Sequence, residues 1–208
     1  MNQRRASIRA NKLSLAFRKN KNMIQDGRFP SKYVRIADVV AGTRVMELGS
    51  AEGVLALLLA ERGKSVLGIE ASPERHAAAL ELGGIDAIEA STRARVKFVL
   101  GDIRDSYELM EGYDAFVASR SIYYLRDEIE DLMKRVSESF THVTLVGNYA
   151  RERRFFKSRG SGSNSVGRFE YYATGIGMQD LLSRHGYRIT NVIFSNRARD
   201  PIVCGQKP

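Results

Sequence analysis

One stretch restricts the fold of this chain more than any other: Val45-Met46-Glu47-Leu48 runs into Gly49-Ser50-Ala51-Glu52-Gly53 and then straight into Val54-Leu55-Ala56-Leu57-Leu58-Leu59-Ala60. An apolar run, a glycine-spaced turn and a second, longer apolar run read as strand, tight turn and buried helix. Glycines suit such a turn because the backbone must bend sharply and let a ligand approach without a Cβ in the way, facing the first N–H groups of the helix. A dinucleotide fingerprint begun at Gly49 would need glycines where Ala51 and Val54 stand, so the turn marks a different nucleotide-type cofactor.

The rest of the chain repeats the alternation. Ser65 to Glu70 is a second short strand ending in an acid, 17 residues after Gly53. Val96 to Leu100 leads into Gly101-Asp102-Ile103, Tyr113 to Ser119 supplies a fourth strand and His142 to Gly147 a fifth. Between them, Pro73 opens a helix that Gly83-Gly84 closes, and Ile129, Leu132, Met133, Val136 and Phe140 fall at helical spacing. Ser31 to Val40 reads as a helix ahead of the first strand, and Gly177 to Gly186 as one ahead of two C-terminal strands, Tyr187–Ser195 and Asp200–Gly205. Right-handed crossovers then predict a doubly wound, mostly parallel seven-stranded α/β sheet with an antiparallel C-terminal strand, helices on both faces, and a ligand at the carboxyl ends of the strands.

The ordered set Glu47-x-Gly49-x-Ala51-x-Gly53, Glu70 and Gly101-Asp102, closed by the terminal hairpin, resembles the class I, Rossmann-like S-adenosylmethionine-dependent methyltransferase family over roughly residues 41 to 208. Alanine replaces the middle glycine of the family's first motif. The resemblance implies S-adenosylmethionine as cofactor, with S-adenosylhomocysteine as product. It implies a cofactor site of Glu47, Gly49, Ser50, Ala51, Gly53, Glu70, Ala71, Asp102, Ile103 and Ser119. Glu70 would accept from the ribose hydroxyls, and Asp102 from the adenine amino group unless it serves as a helix cap.

The same resemblance frames the acceptor end. The fourth-strand exit, Ser119-Arg120-Ser121-Ile122-Tyr123-Tyr124, lacks the Asn/Asp-Pro-Pro-aromatic motif of methyltransferases acting on exocyclic base amines. Ser119 and Gly147-Asn148 stand where catechol-type enzymes carry metal-binding acids, so no metal site is expected. Arg120, Tyr123, Tyr124 and Asn148 are the acceptor-facing candidates. His76, His142 and His185 fall within a helix, at the start of a strand and at a helix end, so none is expected to serve as base.

Charge is unevenly placed. Of the net +9, residues 1–40 hold ten Lys or Arg against Asp26 and Asp38, while the remainder is nearly neutral. A basic N-terminal helical arm over 1–40 fits an Ala6, Ala10, Leu13, Phe17 stripe; a solvated tail or a transit peptide are the other readings. A methyltransferase domain over 41–208 would follow, with a long basic lid loop at 148–176 that includes Arg151, Arg153, Arg154 and Lys157. The longest unbroken apolar run is far below the ~18 residues of a membrane span, and the single cysteine, Cys204, excludes an internal disulfide. These features point to a soluble, cytoplasmic protein.

The resemblance, taken with these residues, leaves three functions open. The preferred one is methyl transfer, without metal or histidine base, to a small or saccharide-like anionic acceptor gripped by Arg and Lys. RNA methylation, with the arm and lid tracking the phosphate backbone, is the second. A non-catalytic binding module that keeps the fold is the third.

Overall fold

The computed structural model describes residues 15–160, 168–195 and 199–208. The stripe residues Ala6, Ala10 and Leu13, with Arg5 and Arg9, lie outside that set. Seven strands form one sheet in the order β3-β2-β1-β4-β5-β7-β6. They are β1 (Arg44–Leu48), β2 (Ser65–Glu70), β3 (Val96–Leu100), β4 (Ala115–Ser119), β5 (His142–Val146), β6 (Arg188–Ile193) and β7 (Ile202–Gln206). Strand β7 runs antiparallel to both β5 and β6, and the pairings β3-β2-β1-β4-β5 are parallel. The sequence-based architecture therefore holds.

Alternation along the central strands divides the core in two. Val45, Val66, Ala115, Val117 and Val146 face helices α2 (Ser31–Ala37) and α3 (Val54–Glu61). Met46, Leu48, Leu67, Phe116, Ala118 and Val143 face α6 (Ile129–Ser139) and α9 (Gly175–Arg184). Parallel strands covered on both faces need apolar residues at nearly every position, which explains why these segments read as continuous apolar runs. Helix α3 is buried from Val54 to Ala60 because it lies between the sheet and the N-terminal helices. Helix α6 buries only Ile129, Leu132, Met133 and Val136, the stripe expected of a surface helix. Its carboxyl end is capped from a distance: the Tyr187 hydroxyl lies 3.0 Å from the Val136 carbonyl and 2.9 Å from that of Phe140.

Helix α4 (Pro73–Gly83) starts at Pro73 with the Ser72 side chain accepting from Arg75 N, and ends at Gly84. A four-residue helix, α5 (Ala90–Arg93), precedes β3. One expected boundary contracts, the helix read over Ser31 to Val40 ending at Ala37.

The larger correction concerns the segment 148–176, expected as a loop. It carries helix α7 (Tyr149–Gly160) and the short α8 (Arg168–Tyr171) before α9 begins at Gly175. Residues 149–159 contain neither glycine nor proline and are rich in Ala, Arg, Glu and Lys, all good helix formers. Asn148 caps the first turn, its Oδ1 accepting from Ala150 N at 3.0 Å.

Helix α1, covering residues 15–25, turns its Ile24 into a cluster with Val54, Leu57, Leu82 and Ile88, flanked by Phe17 and Tyr33. The described part of the N-terminal segment is thus packed on α3 and α4. Among the described residues, no helix is long and apolar enough to cross a membrane.

Candidate functional site

The turn after β1 is built from three left-handed residues, Gly49 at φ +70°, Ala51 at +51° and Gly53 at +76°. At Gly49 a Cβ would come within 2.8 Å of Ser121 Cβ, and at Gly53 within 2.5 Å of Phe98 Cζ, so only glycine fits either place. Ala51 adopts the same conformation with a methyl group, a strain of order 1 kcal/mol. It is held there by Glu70: Ala51 N donates to Oε2 at 2.8 Å, while Ser72 N donates to Oε1 at 2.9 Å. Glu70 therefore ties the first turn to the exit of β2. Each carboxylate oxygen keeps lone-pair capacity for a further donor.

These groups border a cleft of about 1130 Å³ at the carboxyl ends of the parallel strands. Of the residues expected at the cofactor, Glu47, Gly49, Ser50, Ala51, Glu70, Ala71, Asp102, Ile103 and Ser119 line it. Gly53 does not; it sits at the amino end of α3 against Phe98, and its contribution is the turn's shape. Glu47 is fully buried, and burial together with the neighbouring Glu70 carboxylate pushes its acid well above the usual range. Its Oε2 and the Ser50 Oγ are buried without a partner among the described residues. A glycine-backed floor with unpaired buried acceptors fits a cofactor bearing ribose hydroxyls and an ammonium group.

Asp102 meets the sequence expectation in place but not in partners. Its Oδ1 accepts from Arg104 N at 3.0 Å, capping a short 3₁₀ turn, and from Arg104 Nε at 2.8 Å. Arg104 in turn pairs with Glu128 at 3.0 Å. The Arg104 side-chain hydrogen bond holds the Asp102 carboxyl below the usual carboxylate range. The adenine role expected of Asp102 thus competes with a cap and an ion pair. Asp102→Ala is expected to lower stability by about 1 kcal/mol, the usual worth of a cap, and to leave affinity for S-adenosylhomocysteine within about twofold, below 0.5 kcal/mol. Melting temperature and calorimetry measured on one variant check both halves.

At the other end, Arg120, Tyr123, Tyr124 and Asn148 all line the cleft, yet three of them already hold hydrogen-bond partners. Arg120, left-handed at φ +58°, donates from Nε to Asp200 Oδ2 at 2.7 Å and forms an ion pair with it. Asp200 also accepts from Tyr149 N at 3.0 Å, so it joins the exit of β4 to the start of α7. Besides capping α7, Asn148 donates from Nδ2 to the Tyr123 hydroxyl at 3.4 Å. Burial pushes the Tyr123 phenol up to about 12, which keeps it protonated at neutral pH. The Arg151 guanidinium lies over the rings of Tyr123 and Tyr124, 4.7 and 5.2 Å from their centroids. Tyr124 remains 65% exposed, an aromatic face open at the mouth.

Several lining residues escape sequence reasoning. Asp200 stands 80 positions from Arg120, and no local pattern links them. Asn20, Lys32, Tyr33 and Arg35 enter from α1 and α2. Of the three histidines, His185 pairs with Glu130 at 3.0 Å, His76 sits within α4 and His142 begins β5; none is among the lining residues.

A doubly wound sheet with a reversed strand and a glycine turn facing an acid at the second strand's end defines a nucleotide-cofactor enzyme fold. Residues 45–142 match the family model described as a methyltransferase domain. The chain is 28% identical over 141 residues to the magnesium-protoporphyrin O-methyltransferase of Rhodobacter capsulatus, a match that covers 66% of this chain and 59% of that protein. In fold it is similar to the magnesium protoporphyrin IX methyltransferase of Synechocystis PCC 6803 with bound SAH (TM-score 0.59, 16% identity, 100% of this chain and 89% of the other). It is also similar to the N-terminal domain of EvdMO1 with SAH and D-fucose (TM-score 0.56, 19% identity, 86% and 82%). The chain thus carries a methyltransferase domain over residues 45–142 on the fold of the class I, Rossmann-like S-adenosylmethionine-dependent methyltransferases.

Proposed function

We propose that this chain transfers the methyl group of S-adenosylmethionine to an oxygen of a small anionic or saccharide-like acceptor, with residues 1–40 acting as an arm over a catalytic domain of residues 41–208. The observation that carries the reading is the cation-rich aromatic mouth of the cleft: Lys32, Arg120, Tyr123 and Tyr124 line it, and Arg151 covers the two rings. Two similar proteins support it, since one is named for O-methylation of magnesium-protoporphyrin and the structure of the other was determined in the presence of SAH and D-fucose.

The cofactor supplies an activated methyl group on a sulfonium. This chain's part is to align and desolvate the acceptor. Glu70 and the turn at Gly49 and Ala51 fix the nucleoside end, with Ser50, Ala71, Ile103 and Ser119 completing the wall. An acceptor carboxylate is already deprotonated, so in-line attack by its oxygen needs positioning and charge-paired binding rather than a base. The Arg151-backed tyrosine pair would bear its body, and the Arg120 and Lys32 cations its anionic group. Tyr123, held protonated, would donate to the acceptor and not take a proton from it.

Radiolabelled methyl transfer to carboxylate- and phosphate-bearing small acceptors, run beside RNA at graded salt, tests this. A small anion held by one or two cations should lose little affinity with salt, whereas RNA binding would fall log-linearly with a slope near 0.7 per contacted phosphate in a single strand. Steep salt dependence with turnover on RNA alone would overturn the small-acceptor reading.

A further inference from the structure

Asp200 reaches the acceptor end of the cleft from the connection between β6 and β7, and three other segments hold it there. Its Oδ2 accepts from Arg120 Nε at 2.7 Å and pairs with Nη2 of the same guanidinium. Its Oδ1 accepts from Tyr149 N at 3.0 Å, and its carbonyl accepts from the Arg35 side chain at 3.4 Å. The Asp200 side chain is only 14% exposed, so the pair is weakly screened. Arg120 is left-handed, a backbone shape that residues other than glycine seldom adopt, and its N donates to the Val146 carbonyl at 2.9 Å. Backbone and ion pair together fix the orientation of the guanidinium.

Side-on pairing takes two of the five N–H groups of Arg120 and leaves the Nη1 end for a ligand; the side chain is half exposed and lines the cleft. The other acceptor-side cation is matched in a similar way. Lys32, whose Nζ lies 4.2 Å from the Tyr33 ring centroid, is faced by Arg120 and by the carboxylates of Glu52 and Asp200, and all four line the cleft. A site for a phosphate dianion would present its arginine unpaired. Here the arginine already carries a carboxylate of the chain's own. One incoming negative charge finds the Nη1 end, but a second on the same group lies against Asp200, where like charges repel.

We propose that Asp200 sets the charge of the acceptor, admitting a carboxylate with its single negative charge at Arg120 and turning away a phosphate dianion. This rests on the anionic-acceptor reading above and narrows it to carboxylate-bearing, saccharide-like molecules. Discrimination then comes from a repulsive group at the site as much as from the attractive one. Asp200 is a specificity-determining residue that acts through Arg120.

Two sugars that differ in the charge of their acid test this with the full chain saturated with S-adenosylhomocysteine. D-glucuronate is a monoanion, and glucose 6-phosphate is mainly a dianion at about pH 7.5, because the second ionisation of a phosphate monoester lies near about 6. Asp200→Asn keeps an oxygen for Tyr149 N and removes the charge. It should tighten glucose 6-phosphate binding roughly tenfold or more in calorimetry, while D-glucuronate changes by about threefold or less. Arg120→Gly added to that variant should abolish the gain, and glycine suits the left-handed backbone there. A purely structural role for Asp200 would weaken both sugars and strengthen neither. Unchanged or weaker glucose 6-phosphate binding in Asp200→Asn, an equal gain for both sugars, or a gain that survives the loss of Arg120 would overturn the assignment. If neither sugar binds the unsubstituted chain or the variant while both still take S-adenosylhomocysteine, the anionic-acceptor reading itself fails.

Discussion

Glu70→Ala is expected to lower affinity for S-adenosylhomocysteine by tenfold or more and, separately, to lower the melting temperature by several degrees. The first effect follows from the loss of a charged acceptor for the ribose hydroxyls, about 1.5–3 kcal/mol for hydrogen bonds to an ionised group. The second was not foreseeable from the family resemblance. Glu70 is 8% exposed and its two oxygens already hold Ala51 N and Ser72 N. Removing them leaves two N–H groups unpaired near the core, one of them on a left-handed alanine that no glycine relaxes. A cost of about 2 kcal/mol would shift the midpoint of a chain this size by roughly 4–8 °C. Glu70→Gln keeps one acceptor oxygen and should fall between. Calorimetry and thermal melts on both variants separate the two effects; unchanged affinity in a folded Glu70→Ala variant would remove Glu70 from the ribose site.

The parts of the molecule legible in the sequence are those whose cause is local. Gly49 and Gly53 are read correctly because a left-handed turn with no room for a Cβ admits almost nothing else, and the strands because apolar runs of five or six residues bounded by acids and glycines suit a covered parallel sheet. Segment 148–176 reads as a loop because Gly160 to Ser165 dominates its composition, although Asn148 and the helix-forming run after it carry a capping signal of their own. The acceptor end is harder for a different reason. The Asp200 carboxylate that engages Arg120 arrives from the far end of the chain, across the β7 insertion, and pairings of that kind leave no periodic trace. The arm shows a third limit: its charges drew attention outward, while the uncharged Asn20 and Ile24, which continue the helical stripe from Phe17, face the cleft and the core.

Gly147→Ala should separate acceptor chemistry from cofactor binding more sharply than any change to a cleft side chain. Gly147 follows β5 directly, and a Cβ there would overlap the Ala173 carbonyl oxygen and lie 2.8 Å from Pro201 Cγ. Both neighbours are anchored: Asn148 N donates to Ala173 O at 2.9 Å and Gly147 N to Pro201 O at 2.9 Å. The methyl group must therefore push the start of α7 away from the segment before α9, and overpacking of this sort costs about 1–3 kcal/mol. The displaced groups are the ones that shape the acceptor end, namely Asn148 with its bond to Tyr123, Tyr149 N with its bond to Asp200, and Arg151 over the tyrosine rings. A shift of about 1 Å in such a frame can cost on the order of 100-fold in rate. The turn at Gly49 and Ala51 and the Glu70 carboxylate belong to β1 and β2, on the other side of β4, and keep their own hydrogen bonds. The expected result is methyl transfer reduced by about 100-fold, with S-adenosylhomocysteine affinity held within about threefold, under 1 kcal/mol. Parallel loss of both would mean that the segment after β5 supports the cofactor as much as the acceptor, and full activity would remove α7 from the acceptor site.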